Sequence, residues 1–334
     1  MMEFGIIKAH IEKMKIIPLD RLRLLVQARS LPELLNVLRS IVEYSPLLMQ
    51  ILTPTIRNLY EVVTEKFRRR IENLIANSGD FGEFVKKYIK RFEVENIINI
   101  LIKINSGYSK EEILKEIVYV YEPTINYENL ADSNKVIDAI NKLDGTEYEI
   151  SRDVKESIAS GGSILLVQEE LMSRFFTTII KAAEKINGID GKIVSDSIKL
   201  EAEVENIFIA WLSAMHGGDI NIFRKLIIPV SYKIGYKKII EYMYTKDRDI
   251  LLKHLIYIRI FNRLIEEEET LARIEAFRLQ LDLLRKREKE VFISEGFFWL
   301  LLKLCEYEWR NLRAIIYGVA LNMDKNRLVR HLIF

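Results

Sequence analysis

The chain has 334 residues, 49% of them hydrophobic and 29% charged, a composition typical of ordered globular proteins rather than of disordered chains. Lys and Arg number 50 against 48 Asp and Glu, giving a net charge of +2, which disfavours a nucleic-acid-binding domain. A single cysteine, Cys305, excludes an internal disulfide and most cysteine-based metal sites. The length predicts two or three domains.

The first residues, MMEFGIIKAHIEKMK, place Lys8, Lys13 and Lys15 among apolar residues, and so lack the uninterrupted apolar stretch of a signal peptide. No segment approaches the roughly 20 apolar residues that a transmembrane helix needs. Any contact with a membrane is therefore expected to be peripheral.

A short motif recurs along the chain. The letters EVENI occur at Glu93–Ile97 and Glu203–Ile207, and the related EWRNL occurs at Glu308–Leu312. With the first Glu of each copy as position 0, apolar residues follow at positions +4 and +8, the spacing of one helix face. Each copy is predicted to lie in a helix of about 26 residues.

Helix boundary signals recur with the motif. Asp80 and Asp190 precede position 0 by 13 residues and are predicted N-caps, whereas Ser294 and Glu295 mark this boundary less cleanly in the third copy. Residues suited to ending a helix follow at +14, and N-cap residues for a second, short helix follow at +16. These are Gly107, Gly217 and Asn322 at +14, and Ser109, Asp219 and Asp324 at +16. Apolar pairs then occur at +20 and +24: Ile113 with Ile117, Phe223 with Ile227, and Leu328 with Leu332.

These repeats predict an all-α chain of three tandem related helical domains, which we call modules. Strand-like alternation is nearly absent, and no proline falls inside a motif helix. Pro123 and Pro229 follow the first two copies. The predicted boundaries are 1–120, 121–229 and 230–334.

The polar residues of the repeat are interpreted as structural. Position 0 is always Glu, position +3 is always Asn, and position +22 is always basic. The resulting motif residues are Glu93, Asn96 and Lys115; Glu203, Asn206 and Lys225; and Glu308, Asn311 and Arg330. Because the short helix is expected to fold back beside the long one, a contact between the Glu and the base is predicted in each module.

A chemical role for the acidic residues is the alternative. Paired carboxylates serve acid–base catalysis and di-metal bundles, and the candidates are Glu93, Glu95, Glu203, Glu205 and Glu308. The bundle motif Glu-x-x-His is absent, however, and the four histidines share no ligand spacing. We therefore expect no catalytic, cofactor-binding or metal-binding residue and no cofactor, and a buried Cys305.

Three charged clusters have two possible interpretations, as solvated helix faces or as docking surfaces for a charged partner or lipid headgroups. They are Arg68–Arg70, Arg285–Lys289 and Glu266–Glu269.

The motifs FEVENI, AEVENI and YEWRNLRAI make the chain resemble the C subunit of archaeal-type (A/V-type) rotary ATP synthases, a relative of the d subunit of the vacuolar ATPase. The stretch at Glu306–Gly318, EYEWRNLRAIIYG, is the most similar, and Leu52–Tyr60 and Asp144–Ile150 are similar more loosely. The third copy departs from the other two at Arg310 and Asn322.

The resemblance implies a funnel-like arrangement of three related domains around a pseudo-threefold axis. It also implies a non-catalytic rotor adaptor at the cytoplasmic face of the cell membrane, without a transmembrane segment. Its partners would be the central-stalk subunits and the membrane proteolipid ring, and neither a nucleic acid nor a small-molecule substrate is expected. The adaptor would couple stalk and ring during proton- or sodium-driven ATP synthesis or hydrolysis.

Two other functions stay open from the sequence. A generic helical-repeat scaffold for another protein would stack its modules in a line around an extended groove. An enzyme with a helical-bundle site would need converging carboxylates and preferably a metal.

Overall fold

The computed structural model describes residues 2–216 and 220–334, without the side chains of Met2 and His216. Within these residues the secondary structure is α-helix and short 3₁₀-helix, with no β-strand. The prediction of an all-α chain is confirmed.

Nineteen α-helices are described in this part of the chain. The first seven are α1 (Met2–Met14), α2 (Leu19–Gln27), α3 (Leu31–Arg39), α4 (Ser45–Leu48), α5 (Ile56–Asn77), α6 (Phe81–Asn105) and α7 (Lys110–Leu114). The next six are α8 (Tyr127–Ala131), α9 (Val136–Asn141), α10 (Arg152–Ala159), α11 (Leu165–Ala183), α12 (Gly188–His216) and α13 (Ile220–Leu226). The last six are α14 (Tyr236–Thr245), α15 (Asp249–Leu252), α16 (Ile258–Ile265), α17 (Glu269–Arg287), α18 (Gly296–Ala320) and α19 (Lys325–Arg330). Leu255–Tyr257 and Glu288–Glu290 form 3₁₀-helices.

The chain divides into two compact units. The first comprises Met1–Val85, Gly188–Val194 and Ile258–Phe334, and the second comprises Lys86–Asn187 and Ser195–Tyr257. The three-module boundaries are a different division of the chain and stay a prediction.

Helix α18 forms the centre of the first unit. It packs against α1, α2, α3, α5 and α17, and most of its residues are buried. The ring of Trp309 stacks on that of Phe67 at 5.1 Å between centroids, and its Nε1–H donates to Thr64 Oγ1 at 3.1 Å. A helix surrounded by others is apolar on all sides, which explains the long apolar stretch at the start of α18.

In the second unit, short helices pack in pairs: α7 with α8, α9 with α10, α11 with α13, and α14 with α15. Tyr88 and Phe175 form an edge-to-face aromatic contact at 5.9 Å between ring centroids. A buried ion pair joins Arg91 Nη1 to Glu201 Oε2 at 2.9 Å.

The three motif helices are α6, α12 and α18, with 25, 29 and 25 residues. Asp80 precedes α6 as predicted, but the prediction that Asp190 caps α12 is wrong. The helix begins two residues earlier at Gly188, and Asp190 instead accepts a hydrogen bond from Ser294 Oγ at 2.5 Å. Glu295 occupies the N-cap position of α18 without a capping side-chain bond.

The signals after the motif helices are confirmed where they are described. Gly107 and Asn322 adopt left-handed φ angles of 75° and 51°. The Ser109 and Glu112 side chains form a complete capping box for α7, and Asp324 caps α19. Gly217 and Asp219 lie outside the described residues. All six apolar residues predicted at +20 and +24 are buried.

None of the described helices combines the length and the apolar character needed to cross a bilayer.

Candidate functional site

The asparagine at +3 makes the same contact in all three repeats. Asn96 Nδ2 donates to the Val118 carbonyl at 2.9 Å, and the Val118 N–H donates back to Asn96 Oδ1 at 3.0 Å. The partner lies 22 residues after the asparagine. The Asn96 side-chain amide thus pairs with Val118, in a segment of irregular backbone, as a peptide group would. Both the N–H and the carbonyl of Val118 are therefore hydrogen-bonded.

The other two asparagines repeat this geometry. Asn206 donates to Ile228 O at 2.8 Å and accepts from Ile228 N at 2.7 Å. Asn311 pairs with Ile333 at the same two distances. Because all three asparagines are at most 3% exposed, these bonds are shielded from water and leaving them unmade is costly. We call each such pair an asparagine clamp.

Glu203 lies in a pocket of neutral donors in the second unit. Its carboxylate accepts from four successive backbone N–H groups, those of residues 232–235, at 2.8–3.1 Å, and from the Tyr257 hydroxyl at 2.6 Å. Burial alone would raise the pKa of Glu203, but the Tyr257 hydroxyl and the backbone donors outweigh it and lower the pKa. The carboxylate is therefore held in its ionised form.

Glu93 has a related, more exposed set of partners in the same unit. It accepts from the Thr124 N–H and from Thr124 Oγ1, the latter at 2.6 Å, and from the Tyr148 hydroxyl at 2.8 Å. Burial and the negative charge of Glu93 raise the pKa of Tyr148, so its hydroxyl stays a donor.

Glu308 has its partners in the first unit, and they come from far back in the chain. It accepts from the Ile17 N–H at 2.6 Å and the Tyr44 hydroxyl at 2.6 Å, and it forms an ion pair with Arg70 Nη1 at 2.5 Å. Arg70 also donates from Nη2 to the Lys15 carbonyl at 3.0 Å. Burial first, and then the charge of Glu308, raise the pKa of Tyr44.

Each repeat glutamate therefore accepts from one backbone segment and one tyrosine. Tyr148 and Tyr257 follow their glutamates by 55 and 54 residues, whereas Tyr44 precedes Glu308 by 264 residues. Sequence reasoning missed all three tyrosines. The near-equal spacing of Tyr148 and Tyr257 from the motif was the only sequence signal for them.

The predicted contacts between the glutamates and the +22 bases are wrong. Lys225 forms an ion pair with Asp153, and Arg330 pairs with Glu268 at 3.0 Å. Lys115 is exposed at the end of α7. The apolar residues at +20 and +24 face inward, and a residue midway between them points to the opposite side of the turn, towards solvent.

The other sequence candidates also have structural partners. Glu95 pairs with Arg91 at 3.2 Å. Within the basic cluster, Arg70 is buried rather than available for docking, while Arg68 and Arg69 pair with glutamates of their own helix. Cys305 is buried, as predicted, and this burial raises the pKa of its thiol to about 12. Among the described residues, no three His, Cys, Asp or Glu side chains come together as metal ligands would.

Comparison with known proteins gives a family-level match. A sequence profile described as ATP synthase (C/AC39) subunit matches residues 8–330. The C subunit of the A-type ATP synthase of Methanothermobacter thermautotrophicus (strain Delta H) is 22% identical over 229 residues, which is 67% of this chain and 57% of the relative. The match thus spans less than two thirds of that relative's own length.

Proposed function

The chain belongs to the ATP synthase (C/AC39) subunit family of A/V-type enzymes, and from this premise we propose that it is a non-catalytic rotor adaptor. In this role it couples the central-stalk subunits to the membrane proteolipid ring at the cytoplasmic face of the membrane. The observation that carries the proposal is the family match over residues 8–330. The contacts of the repeat motif support it, because each glutamate and each asparagine of the motif has structural partners.

The proposed architecture is a closed set of three modules around a pseudo-threefold axis, with boundaries near 1–120, 121–229 and 230–334. The asparagine clamps support three equivalent modules. The donors to the glutamates support closure: for Glu93 and Glu203 they follow the motif, and for Glu308 they come from the N-terminal segment. In a linear stack the last module would instead end in a capping element of its own.

An adaptor of this kind needs stiffness to transmit torque. Close-packed helices resist deformation, and the clamps add fixed points where each irregular segment is bonded to a long helix. The Asn206 clamp and the pocket around Glu203 bind residues on both sides of Pro229. These bonds would limit bending at that predicted joint.

Co-purification tests the partners. The tagged chain would be purified from gently solubilised membranes of its source organism, with the tag alone as control. Stalk and ring subunits are expected to co-purify in fixed ratio with the chain. If the complex is recovered intact through a tag on its catalytic head but lacks this chain, the proposal fails and a generic scaffold becomes the better explanation.

Reconstitution tests the coupling role. A complex assembled without the chain is expected to hydrolyse ATP at its catalytic head but to transport no ions, and the purified chain should restore transport. If the isolated catalytic head hydrolysed ATP only when the chain was added to it, a non-catalytic role would be contradicted.

A further inference from the structure

Helix α1 exposes a row of large apolar side chains. Phe4, Ile7, Ile11 and Met14 are 61%, 58%, 48% and 85% exposed. Their spacing of three and four residues places them on one face of the helix, which we call the α1 row. The opposite face packs on α5 and α18, so this helix is apolar on its solvent side as well as on its buried side.

Two lysines border the α1 row on one side. Lys8 Nζ lies 4.4 Å from the centroid of the Phe4 ring and donates to Asn77 Oδ1 at 2.8 Å. Lys15 Nζ pairs with Glu12 at 2.6 Å. Glu3 and His10 lie near the other border. An apolar face with lysines along its edge is typical of helices that lie in the interface of a bilayer.

A cavity of about 290 Å³ opens beside the row, between α1, α5 and α18, and is lined in part by Ile11 of the row and by Lys8 at its border. Leu74, Phe298 and Leu301 form part of its apolar lining. Its charged lining is Lys8, Glu12, Lys15 and Arg70. Arg70 is only 5% exposed and uses Nη1 and Nη2 in the bonds described above. The Arg70 Nε–H has no hydrogen-bond partner among the described residues, but its nitrogen is buried, so that Arg70 contributes its charge to the cavity rather than a surface donor.

We propose that α1 is a contact surface for an anionic phospholipid bilayer. The α1 row enters the apolar layer, and a lipid phosphate lies at the mouth of the cavity, near Lys8. Charge favours this occupant over an apolar protein helix, because lysines border the row and the charged lining of the adjoining cavity is three basic side chains against one acidic one.

This inference goes beyond the proposed function, because it requires neither the stalk nor the ring. Its test uses only the purified full-length chain and vesicles, so that its failure would leave the adaptor proposal standing. Flotation would compare vesicles of phosphatidylcholine with vesicles of equimolar phosphatidylcholine and phosphatidylglycerol. Binding is expected to the second and to be much weaker to the first.

Three variants separate the contributions. Lys8→Gln is expected to lower partitioning onto the anionic vesicles about fivefold. The double variant Phe4→Ser with Ile7→Ser should lower it about tenfold or more, because apolar area is no longer buried. The control, Val42→Ser with Leu52→Ser, changes residues that are 81% and 91% exposed elsewhere in the same unit and should leave binding unchanged.

Several results would overturn the proposal. One is equal binding to both kinds of vesicle, and another is loss of binding in the control to the same extent as in the α1 variants. Binding of inorganic phosphate, measured by calorimetry, without any binding to vesicles would identify a site for a free oxyanion instead. Protection of the α1 row by the isolated proteolipid ring, again without vesicle binding, would identify a protein-docking face.

Discussion

At the scale of single residues, the repeat glutamates show two ways of holding a buried carboxylate. Glu308 has a charged partner in Arg70, whereas all five donors to Glu203 are neutral N–H and O–H groups. Successive backbone N–H groups form a concave site for an anion. The cost of burying the Glu203 carboxylate is thus offset by fixed dipoles rather than by a counterion. All three copies of the repeat have a glutamate as acceptor, whereas the groups that donate to it differ from copy to copy.

Glu203→Gln tests this arrangement through pH. The folded pKa of Glu203 lies below the ordinary value of 4.5, so the unfolded chain binds the proton first as the pH falls. The stabilisation is therefore complete above the unfolded pKa and is lost as the pH falls through the folded pKa. At neutral pH the variant should be about 1–3 kcal/mol less stable in urea unfolding. That difference should narrow below about pH 4, and a constant difference at all pH values would contradict the assignment.

The asparagine clamp gives a second prediction at this scale. Asn206→Ala leaves the N–H of Ile228 unpaired in a buried site, while the Ile228 carbonyl keeps only its bond from the Val230 N–H at 2.7 Å. The substitution should cost about 1–3 kcal/mol of unfolding free energy. Asn73→Ala, on the exposed face of α5, is the matched control and should change stability by less than about 0.5 kcal/mol. Equal effects of the two substitutions would show that the clamp contributes nothing.

At the scale of elements, Gly5 decides how closely α1 approaches the end of α5. A Cβ atom added at Gly5 would lie 2.0 Å from the Asn77 carbonyl oxygen and 3.3 Å from the Phe298 ring. Gly5→Ala should therefore displace α1 and cost about 1–3 kcal/mol. Faster hydrogen exchange of the α1 amides would report the displacement.

Gly107→Ala is the comparison for that experiment. Its φ of 75° makes an alanine strained, yet within the described part of the chain no atom beyond the adjacent residues lies within 4 Å of the added Cβ. It should cost about 1 kcal/mol through backbone strain alone and leave exchange in α1 unchanged. Unchanged exchange in the Gly5 variant as well would mean that α1 does not depend on this close approach.

The sequence separation of the residues in contact decides which helix boundaries could be predicted from the sequence. Ser109 and Asp324 cap their helices with bonds to the residue three positions later, so neighbouring letters are sufficient to identify them. Asp190 failed as a predicted cap because Ser294, 104 residues away in sequence, holds its carboxylate. The predicted contacts between the glutamates and the +22 bases were wrong for a related reason. The prediction considered how the two helices approach each other, but not the direction in which each side chain points.

At the scale of the whole molecule, the all-α class could be predicted and the threefold recurrence of the motif could be recognised, because both depend on regular spacings along the chain. The partners of the motif could not be predicted in this way. In the sequence Arg70 belongs to a basic cluster, but Glu308, 238 positions later, pairs with it in a buried site. Tyr44 and Glu308 are joined only in the folded chain. Contacts at that separation leave no local periodicity, and one sequence contains no record of which residues vary together.

The N-terminal segment therefore belongs physically to the last repeat, and cleavage can test this. A protease site inserted at the exposed Leu52, between α4 and α5, would separate α1–α4 from the remainder of the chain. The two pieces should stay together in gel filtration, because α18 packs against α1, α2 and α3 and Glu308 binds both Ile17 and Tyr44. Tyr44→Phe removes a hydrogen bond to a buried carboxylate and should weaken the association by about 1.5–3 kcal/mol, roughly tenfold or more. Separation of the cleaved pieces with the larger one still folded would contradict this account, since the third repeat would then be complete without its N-terminal donors.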